Sequence, residues 1–472
     1  MTAAVAWHWV GADWLAFEGE RRSLRSPIDG SVITEFTPAP AAAAEVAVAA
    51  AADCDLAAVP LAERCRALRV LAERLAADAG ELARQVTLEN GCPSAQAEAL
   101  QVGSAVALLQ AMADIGEEHR FEERRPGSRG GEVLVQKMAL GIAVGIVPWN
   151  VPMFLASAKL ASAVIAGCPI ILKPSPENAA SMVRYAGHLE EIGLPSGAVN
   201  LLVGDRDLGA ALVAHPGVAK VSFTGSTAAG REVATACAAR LARCTLELGG
   251  KSAAILLDDV DIGGIRNQLF LAMLQNNGQV CGAQSRLLVP AARYDELREA
   301  LSGLFEELVT GDPRHAATDI GPVVHQAQAR RIEALLERAR AAGALPVNRP
   351  VQPPGPAFVA PVLLEGVNPN SEIWREEVFG PVVTMMAYQD EAHAVALADD
   401  SHYGLSGSVW SPDIERAAAL ARRLRTGTVG VNSKKILDFA APFGGFRQSG
   451  IGREFGPEGI DGYLEAKSIL LP

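Results

Sequence analysis

GIAVGIVPW, residues 141–149, is a short apolar run that ends in Pro-Trp, and a helical stretch carrying Lys159 follows it. The pattern then repeats: PIILKPS (169–175), a second helical stretch, AVNLLVG (198–204) and VAKVSFTGS (218–226). Strands buried on both faces read as unbroken apolar runs, and their alternation with helices predicts a parallel sheet covered on both sides. The fold class is therefore α/β.

On the N-terminal side of this core, Ala-rich helical sequence runs from about Ala41 to Ala113, with Leu68, Leu71, Leu75 and Leu82 at amphipathic spacing. Arg120 to Gln136 is polar, contains a Pro-Gly turn signal and leads into GEVLVQKM, which predicts a projecting β-hairpin. On the C-terminal side a second α/β stretch extends from after Glu247 to about Asn432, and the closing GYLEAKSILLP reads as an edge strand. There is no internal repeat and no low-complexity linker.

The chain has 472 residues, long enough for two or three domains sharing a large core. Its hydrophobic residues, 49%, are interrupted often enough that no segment is expected to span a bilayer. The opening MTAAVAWHWVGADWLAFEGE has neither the basic region nor the continuous apolar region of a secretory signal, which predicts a cytoplasmic location. A net charge of -12 argues against nucleic acid or an anionic membrane as partner. The one dense basic stretch, RFEERRPGSR, is offset by Glu122 and Glu123. Seven cysteines, Cys54, Cys65, Cys92, Cys168, Cys237, Cys244 and Cys281, lack metal-ligand spacing, so free thiols and no metal site are expected.

Several stretches carry chemistry. NNGQVCGAQSR (276–286) sets Cys281 among small and polar residues, where a structural cysteine would have apolar neighbours. VSFTGSTAAG (221–230) places a Gly-Ser-Thr turn between a strand and a helix: either an anion cradle or a plain connection. PIILKPS ends a strand with Lys173, whose amine reaches a ribose hydroxyl or simply water. TLELGGKSA (245–253) holds Glu247 between apolar residues, a setting for a desolvated general base or for a paired structural glutamate. In GIVPWNVP the Asn150 amide suits a developing oxyanion, or the stretch is only a turn.

Taken in series, these stretches resemble the aldehyde dehydrogenase superfamily. The resemblance runs from about Gly141 to Lys467 and rests on PWN (148–150), KPS (173–175), FTGST (223–227), ELGGK (247–251), GQVC (278–281), EEVFGPV (376–382) and PFGGFRQSGIGRE (442–454). GADWLAFEG and SPIDGSVI also look like that family's opening strands. The fold implied has two Rossmann-like α/β domains and a small β bridging unit. Residues 1–115 and 140–247 would bind the dinucleotide, 248–440 would be catalytic, and 116–139 with 455–472 would bridge subunits. The unpaired edges of that unit imply a homodimer or homotetramer.

The resemblance also assigns roles. Cys281 matches the nucleophile, which as a thiolate forms a thiohemiacetal with an aldehyde, and its polar setting is expected to favour the thiolate. Asn150 matches the oxyanion donor, together with the Cys281 backbone N–H, and Glu247 matches the base that activates water against the thioester. Lys159 and Glu454 match a proton path from that base. Trp149, Lys173, Ser175, Pro176, Gly225, Ser226, Leu248, Gln328, Glu377 and Phe379 match dinucleotide contacts, with Glu377 on the nicotinamide ribose. Gly230 and Gly250 match positions where a side chain would crowd a turn.

Two features bear on specificity. Three residues after Lys173, many NAD-dependent relatives carry a glutamate for the adenosine ribose; here Pro176 stands there with Glu177 next in line. NAD is expected, NADP remaining possible, because no arginine or second lysine adjoins the site to pair with a phosphate. The tunnel positions Val151, Leu155, Ala158, Val280, Gly282, Leu437 and Phe443 include several small residues, which predicts a wide apolar tunnel and a bulky aromatic, terpenoid or long aliphatic aldehyde. Lys434 and Lys435 near the tunnel mouth favour the alternative of an acidic semialdehyde. A CoA-acylating activity is disfavoured by Glu247, and a non-catalytic protein of this fold by the competent residue at every catalytic position.

Overall fold

The computed structural model describes residues 7–472; residues 1–6, the start of the stretch read for a leader and of the 1–115 segment, lie outside the described residues. The described residues form four sheets, the smallest being the antiparallel pair Arg22–Arg25 and Val32–Phe36. The first has eight strands in the order Gly450–Ile451, Arg243–Glu247, Val218–Thr224, Ile142–Val147, Ile170–Pro174, Val199–Leu201, His8–Val10, Asp13–Leu15. Its five central strands are parallel, and the terminal pairs at each end are antiparallel. Along the sheet the chain goes outward from Ile142–Val147 to Val199–Leu201, then returns to the opposite side of Ile142–Val147 with Val218–Thr224. This reversal leaves a crevice beyond the carboxyl ends of Ile142–Val147 and Val218–Thr224.

The second sheet has seven strands, Leu345–Pro346, Val362–Glu365, Val382–Tyr388, Arg286–Pro290, Ala253–Leu256, Ser406–Trp410 and Thr428–Val431, parallel except at Leu345–Pro346. In the third, Glu122–Pro126 and Glu132–Ala139 form the hairpin read from the sequence, and Leu464–Leu471 pairs with Glu132–Ala139 residue for residue. Leu464–Leu471 is an edge strand of that sheet.

Helices follow local rules. Pro152–Ala166 starts on a proline whose missing N–H costs nothing there and stops at Gly167, at φ 84°. It is buried on nearly every side, so its one charge, Lys159, is a buried charge. Leu68, Leu71, Leu75 and Leu82 are all fully buried, as their spacing predicts.

One expectation needs correction: Ser94–Glu118 is a continuous helix of 25 residues, long and apolar enough by length and composition to cross a membrane. Its Leu108, Leu109, Met112 and Ala113 are instead buried in the core, against Leu61–Ala77 and Pro152–Ala166. The same helix contains a π-helical turn at Glu98–Gly103. All seven cysteines are free, and among the described residues no three or more His, Cys, Asp or Glu side chains cluster so as to hold a metal.

Candidate active site

A cleft of about 340 Å³ opens where the strand order reverses. Pro148 and Trp149 line it from the end of one strand, and Thr224, Gly225 and Ser226 from the end of the other. The second sheet's side contributes Cys281, Gln328, Arg331, Glu377 and Phe379.

Cys281 is brought there by a strained loop. Asn276, Asn277 and Gly278 follow one another at φ 54°, 61° and 73°. A side chain at Gly278 would meet the Gly380 carbonyl oxygen at 2.2 Å, and one at Gly250 the Cys281 carbonyl oxygen at 2.6 Å. Glycine at both positions therefore lets three segments converge. Left-handed conformations at asparagine persist only when surroundings fix them. Here the Asn277 side chain donates to the carbonyls of Gly91 and Pro322 at 2.8 Å each and accepts from the Gly321 N–H at 2.7 Å.

Asn150 is clamped from the same direction. Its main-chain carbonyl accepts from the side-chain amides of Asn90, Gln101 and Asn276, each at 3.0 Å. Gln101 lies within the π-helical turn, a distortion common at functional sites. The Asn150 amide donates to the Gln279 carbonyl at 2.9 Å, two residues before Cys281. An amide nitrogen carries two N–H donors, so the second is left for another acceptor.

Glu247 ends the strand Arg243–Glu247; it is 3% exposed and neither carboxylate oxygen has a hydrogen-bond partner. Burial, and then the charge of Glu454, hold its carboxyl well above the usual range, opposed by Lys159 and Arg453. Lys159 Nζ donates to Glu454 at 2.6 Å, Thr224 Oγ1 at 2.8 Å and Ser222 Oγ at 3.1 Å.

The field at Cys281 differs from the thiolate-favouring one expected. Burial, then Glu377, then Glu247 push the thiol up to about 12, against backbone N–H groups of Gly282 and Cys281 that lower it. The polar neighbours of Cys281 in sequence are amides and small residues that bring no cation to the sulfur.

Of the ten dinucleotide positions, Trp149, Gly225, Ser226, Leu248, Gln328, Glu377 and Phe379 line the cleft. Lys173, Ser175 and Pro176 are outside its lining, at the end of the neighbouring strand Ile170–Pro174. Trp149 and Phe379 meet edge to face at 5.3 Å. Gln328 donates to the Phe379 carbonyl at 3.0 Å, and Arg331 donates to the carbonyls of Glu377 and Val378, both at 3.0 Å. Glu377 accepts the Gly250 N–H at 3.2 Å, and burial raises its carboxyl to about 7. Ser226 caps the helix Thr227–Ala238 by accepting from the Ala229 N–H. Gly230 is needed because a side chain there would reach Leu248 at 2.5 Å. Burial lowers the Lys173 amine to about 8. Beside it the Ser175 hydroxyl donates to Glu177, so the acidic group near Lys173 is displaced by one residue and not lost.

Of the seven tunnel positions only Leu155 lines this cleft. Val280 and Gly282 line a separate pocket of about 20 Å³ with Lys434 and Ile436. Ile436 fills the space beside Gly282, where a side chain would meet it at 2.3 Å. Lys434 is half-buried and Lys435 exposed. Val151, Ala158 and Phe443 are buried in the core against which Leu155, Cys281, Leu437 and Phe439 pack. Near these positions in the fold, Phe154, Phe439 and Phe443 each stand 5.6–5.9 Å from Phe455. The sequence reading missed Asn90, Gln101, Asn276 and Arg331. Arg331 had a signal in its position three residues, one helical turn, after Gln328.

The arrangement offers a thiol nucleophile, an amide donor, a buried carboxyl and a cleft at a topological switch point. Comparison with known proteins agrees. The aldehyde dehydrogenase family model matches residues 14–469. A geranial dehydrogenase of Castellaniella defragrans is 42% identical over 86% of this chain and 85% of its own. A 3-succinoylsemialdehyde-pyridine dehydrogenase of a Pseudomonas species is 42% identical over 83% of this chain and 82% of its own. A Mycobacterium tuberculosis aldehyde dehydrogenase solved with NAD+ superposes with a TM-score of 0.94 at 35% identity, covering 98% of this chain and 97% of that one. With a family model spanning nearly its whole length, a cysteine at the switch-point cleft and neighbours of this similarity, the chain belongs to the aldehyde dehydrogenase family.

Proposed function

We propose that this enzyme oxidises a bulky, hydrophobic aldehyde to its carboxylic acid, with NAD as electron acceptor. The observation that carries the reading is that Cys281 and Asn150 line one cleft with Glu247 buried behind it. Cys281 gives up its proton to solvent water and its sulfur adds to the aldehyde carbon, while the free Asn150 N–H and the Cys281 backbone N–H meet the oxyanion. Glu247 then takes a proton from the water that attacks the thioester, and C–S cleavage returns the thiol. When bound, the dinucleotide supplies the acceptor for the hydride.

The residues present fit that group. The cleft is lined by Trp149, Gly225, Ser226, Leu248, Gln328, Arg331, Glu377 and Phe379, and we assign the ribose hydroxyls to Glu377. A side chain at Gly225 would meet the Phe223 ring at 2.6 Å, and one at Gly249 the Glu377 carboxylate at 2.5 Å, so both glycines keep the wall open. Lys173, Ser175 and Glu177 form an adjoining polar group for a second ribose, where the acidic Glu177 disfavours a 2′-phosphate and hence NADP.

A bulky substrate is supported by the apolar Leu155, which lines the cleft with Cys281, and by the two relatives whose names specify geranial and a pyridine semialdehyde. Each additional apolar Å² buried contributes roughly 25 cal/mol. The acidic-semialdehyde alternative rests on Lys434, which lines the small pocket beside Cys281. We further infer the division into a dinucleotide-binding part (1–115 and 140–247), a catalytic part (248–440) and a bridging part (116–139 and 455–472). The free edge of Leu464–Leu471 supports a homodimer or homotetramer, and the free thiols suit the cytoplasm.

The test is the initial rate of nicotinamide reduction with NAD and NADP in parallel, on geranial, a long aliphatic aldehyde, acetaldehyde and succinate semialdehyde. A higher kcat/KM for geranial than for acetaldehyde, with NAD, is expected, and Cys281→Ala abolishes it. The reverse order of aldehydes, or succinate semialdehyde leading, would refute the bulky-substrate reading.

A further inference from the structure

The helix Thr227–Ala238 and the strand Arg243–Glu247 are joined by one tight turn. The Cys237 carbonyl accepts the Ala242 N–H at 3.0 Å, and the Ala238 carbonyl accepts the Leu241 N–H at 3.3 Å. This pair of bonds closes a helix when the residue at its end runs left-handed, a place glycine usually takes. Here Leu241 takes it, at φ 58° and 84% exposed. A bulky residue in that conformation persists only where its surroundings fix it. Arg240 does so, its guanidinium donating to the carbonyls of Val213 and Val218.

The turn brings Cys237 and Cys244 together. Both pack in one apolar cluster with Ala242 and Leu246, and Leu246 alternates onto the same strand face as Cys244. The Cys237 thiol donates to the Cys244 sulfur. Lys220, buried beside Val221, the strand partner of Cys244, adds a positive charge near that sulfur. The hydrogen bond from Cys237, and then Lys220, hold the Cys244 thiol below its ordinary value against burial. The same bond, burial and the charge of Cys244 hold the Cys237 thiol up. One sulfur is therefore set as thiolate and its neighbour as thiol.

Of the seven cysteines, only Cys244 and Cys281 are not buried. Their fields are opposite: Cys281 faces Glu377 and Glu247, and Cys244 faces Lys220. Attack on a peroxide follows access and thiolate character. The aldehyde chemistry uses neither Cys237 nor Cys244.

We propose that Cys244 and Cys237 form a reversible redox pair that reacts with a hydroperoxide ahead of Cys281. The Cys244 sulfur attacks one peroxide oxygen, the O–O bond breaks, and the leaving hydroxide takes a proton from solvent to become water. Cys244 is then a sulfenic acid. The Cys237 sulfur loses its proton and attacks the Cys244 sulfur; the S–O bond breaks, its hydroxide leaves with that proton as a second water, and the S–S bond forms. For hydrogen peroxide, two thiols are oxidised to one disulfide and one peroxide is reduced to two waters. A dithiol reductant reverses the bridge, taking the oxidation onto itself. The pair needs neither aldehyde nor dinucleotide, so it stands apart from the reading of Cys281 as nucleophile.

The test treats the reduced full-length protein, free of dinucleotide, with hydrogen peroxide near neutral pH and blocks samples at intervals with N-ethylmaleimide. Trypsin cuts after Arg231, Arg240, Arg243 and Lys251, so Cys237 and Cys244 fall on separate peptides, 232–240 and 244–251, and the bridge appears as their linked pair in mass spectra. The linked pair is expected to form about tenfold or more faster than any oxidised form of Cys281, and to disappear on adding dithiothreitol. In Cys237→Ala the reaction is expected to stop at the sulfenic acid of Cys244, which dimedone captures; Cys244→Ser is expected to leave Cys237 free. Oxidation of Cys281 ahead of the linked pair would overturn the proposal. So would the absence of a linked pair in the parent, or capture by dimedone at Cys237 in Cys244→Ser as fast as at Cys244 in Cys237→Ala.

Discussion

The side-chain amide of Gln101 donates to the main-chain carbonyl of Asn150 at 3.0 Å, from a π-helical turn that lies 49 residues away in sequence. The bond holds Asn150, the proposed oxyanion donor, by its backbone. Gln101→Leu is expected to lower kcat by about tenfold with little change in KM, because the amide it orients acts on the transition state. It should also cost about 1–3 kcal/mol of stability. Steady-state kinetics and a urea titration check both; an unchanged kcat would show that Asn90 and Asn276 suffice.

Lys159 and Glu454 form a buried ion pair at 2.6 Å, with side chains 0% and 7% exposed. Lys159→Met strands a buried carboxylate and is expected to destabilise the protein by about 3–5 kcal/mol. Lys159→Met combined with Glu454→Gln should recover a good part of that loss. Urea midpoints for the two variants decide it: equal midpoints would mean that the lost lysine packing, and not the stranded charge, is responsible.

Glu89 is fully buried, and its Oε1 accepts the N–H groups of Ala180 and Ser181 in the first turn of the helix Ala179–Gly187. Burial raises its carboxyl from 4.5 to about 7, against those hydrogen bonds. A raised acid binds its proton more tightly in the folded state. Its contribution is therefore complete below pH 4.5 and is lost as pH rises through 7, on the order of 3 kcal/mol in all. Glu89→Gln stays neutral throughout, so its stability relative to the parent should improve between pH 5 and pH 8. Denaturant midpoints at the two pH values test this, and a constant difference would contradict it.

The Cys281 thiol, held up to about 12 by burial and by Glu377 and Glu247, should alkylate slowly in the protein without dinucleotide. Its rate with iodoacetamide is expected to rise about tenfold per pH unit from pH 7 to 9 without a plateau. Glu377→Gln removes one of the two opposing carboxylates and should speed the reaction. Peptide mass spectrometry at Cys281 separates it from the other thiols; a plateau below pH 8 would mean that the thiolate is already favoured at rest.

The sheet core was legible in the sequence because parallel strands buried on both faces, such as Ile142–Val147, leave unbroken apolar runs closed by glycine or proline. The cleft was legible where its residues lie in contiguous stretches, as with Pro148–Asn150 and Thr224–Ser226. What could not be read depends on convergence in space. Asn90, Gln101 and Asn276 are ordinary amides until one carbonyl gathers them. The field at Cys281 is set by Glu377, distant in sequence and close in the fold. The tunnel positions are spread along the chain, and the gathering of Phe154, Phe439 and Phe443 around Phe455 is visible only in the fold. The helix Ser94–Glu118 shows the same limit: its composition suits a membrane, and only its packing partners make it a core helix.

The π-helical turn at Glu98–Gly103 is equivalent to one residue inserted into an otherwise regular helix. Removing a single residue there would relax the segment to plain α-helix, and each position beyond the deletion would turn by about 100° relative to those before it. The outcome is a more regular helix in which the Gln101 amide no longer meets Asn150. Among related chains, a one-residue gap at 98–103 is thus not a neutral length change: it marks an Asn150 loop that must be held some other way.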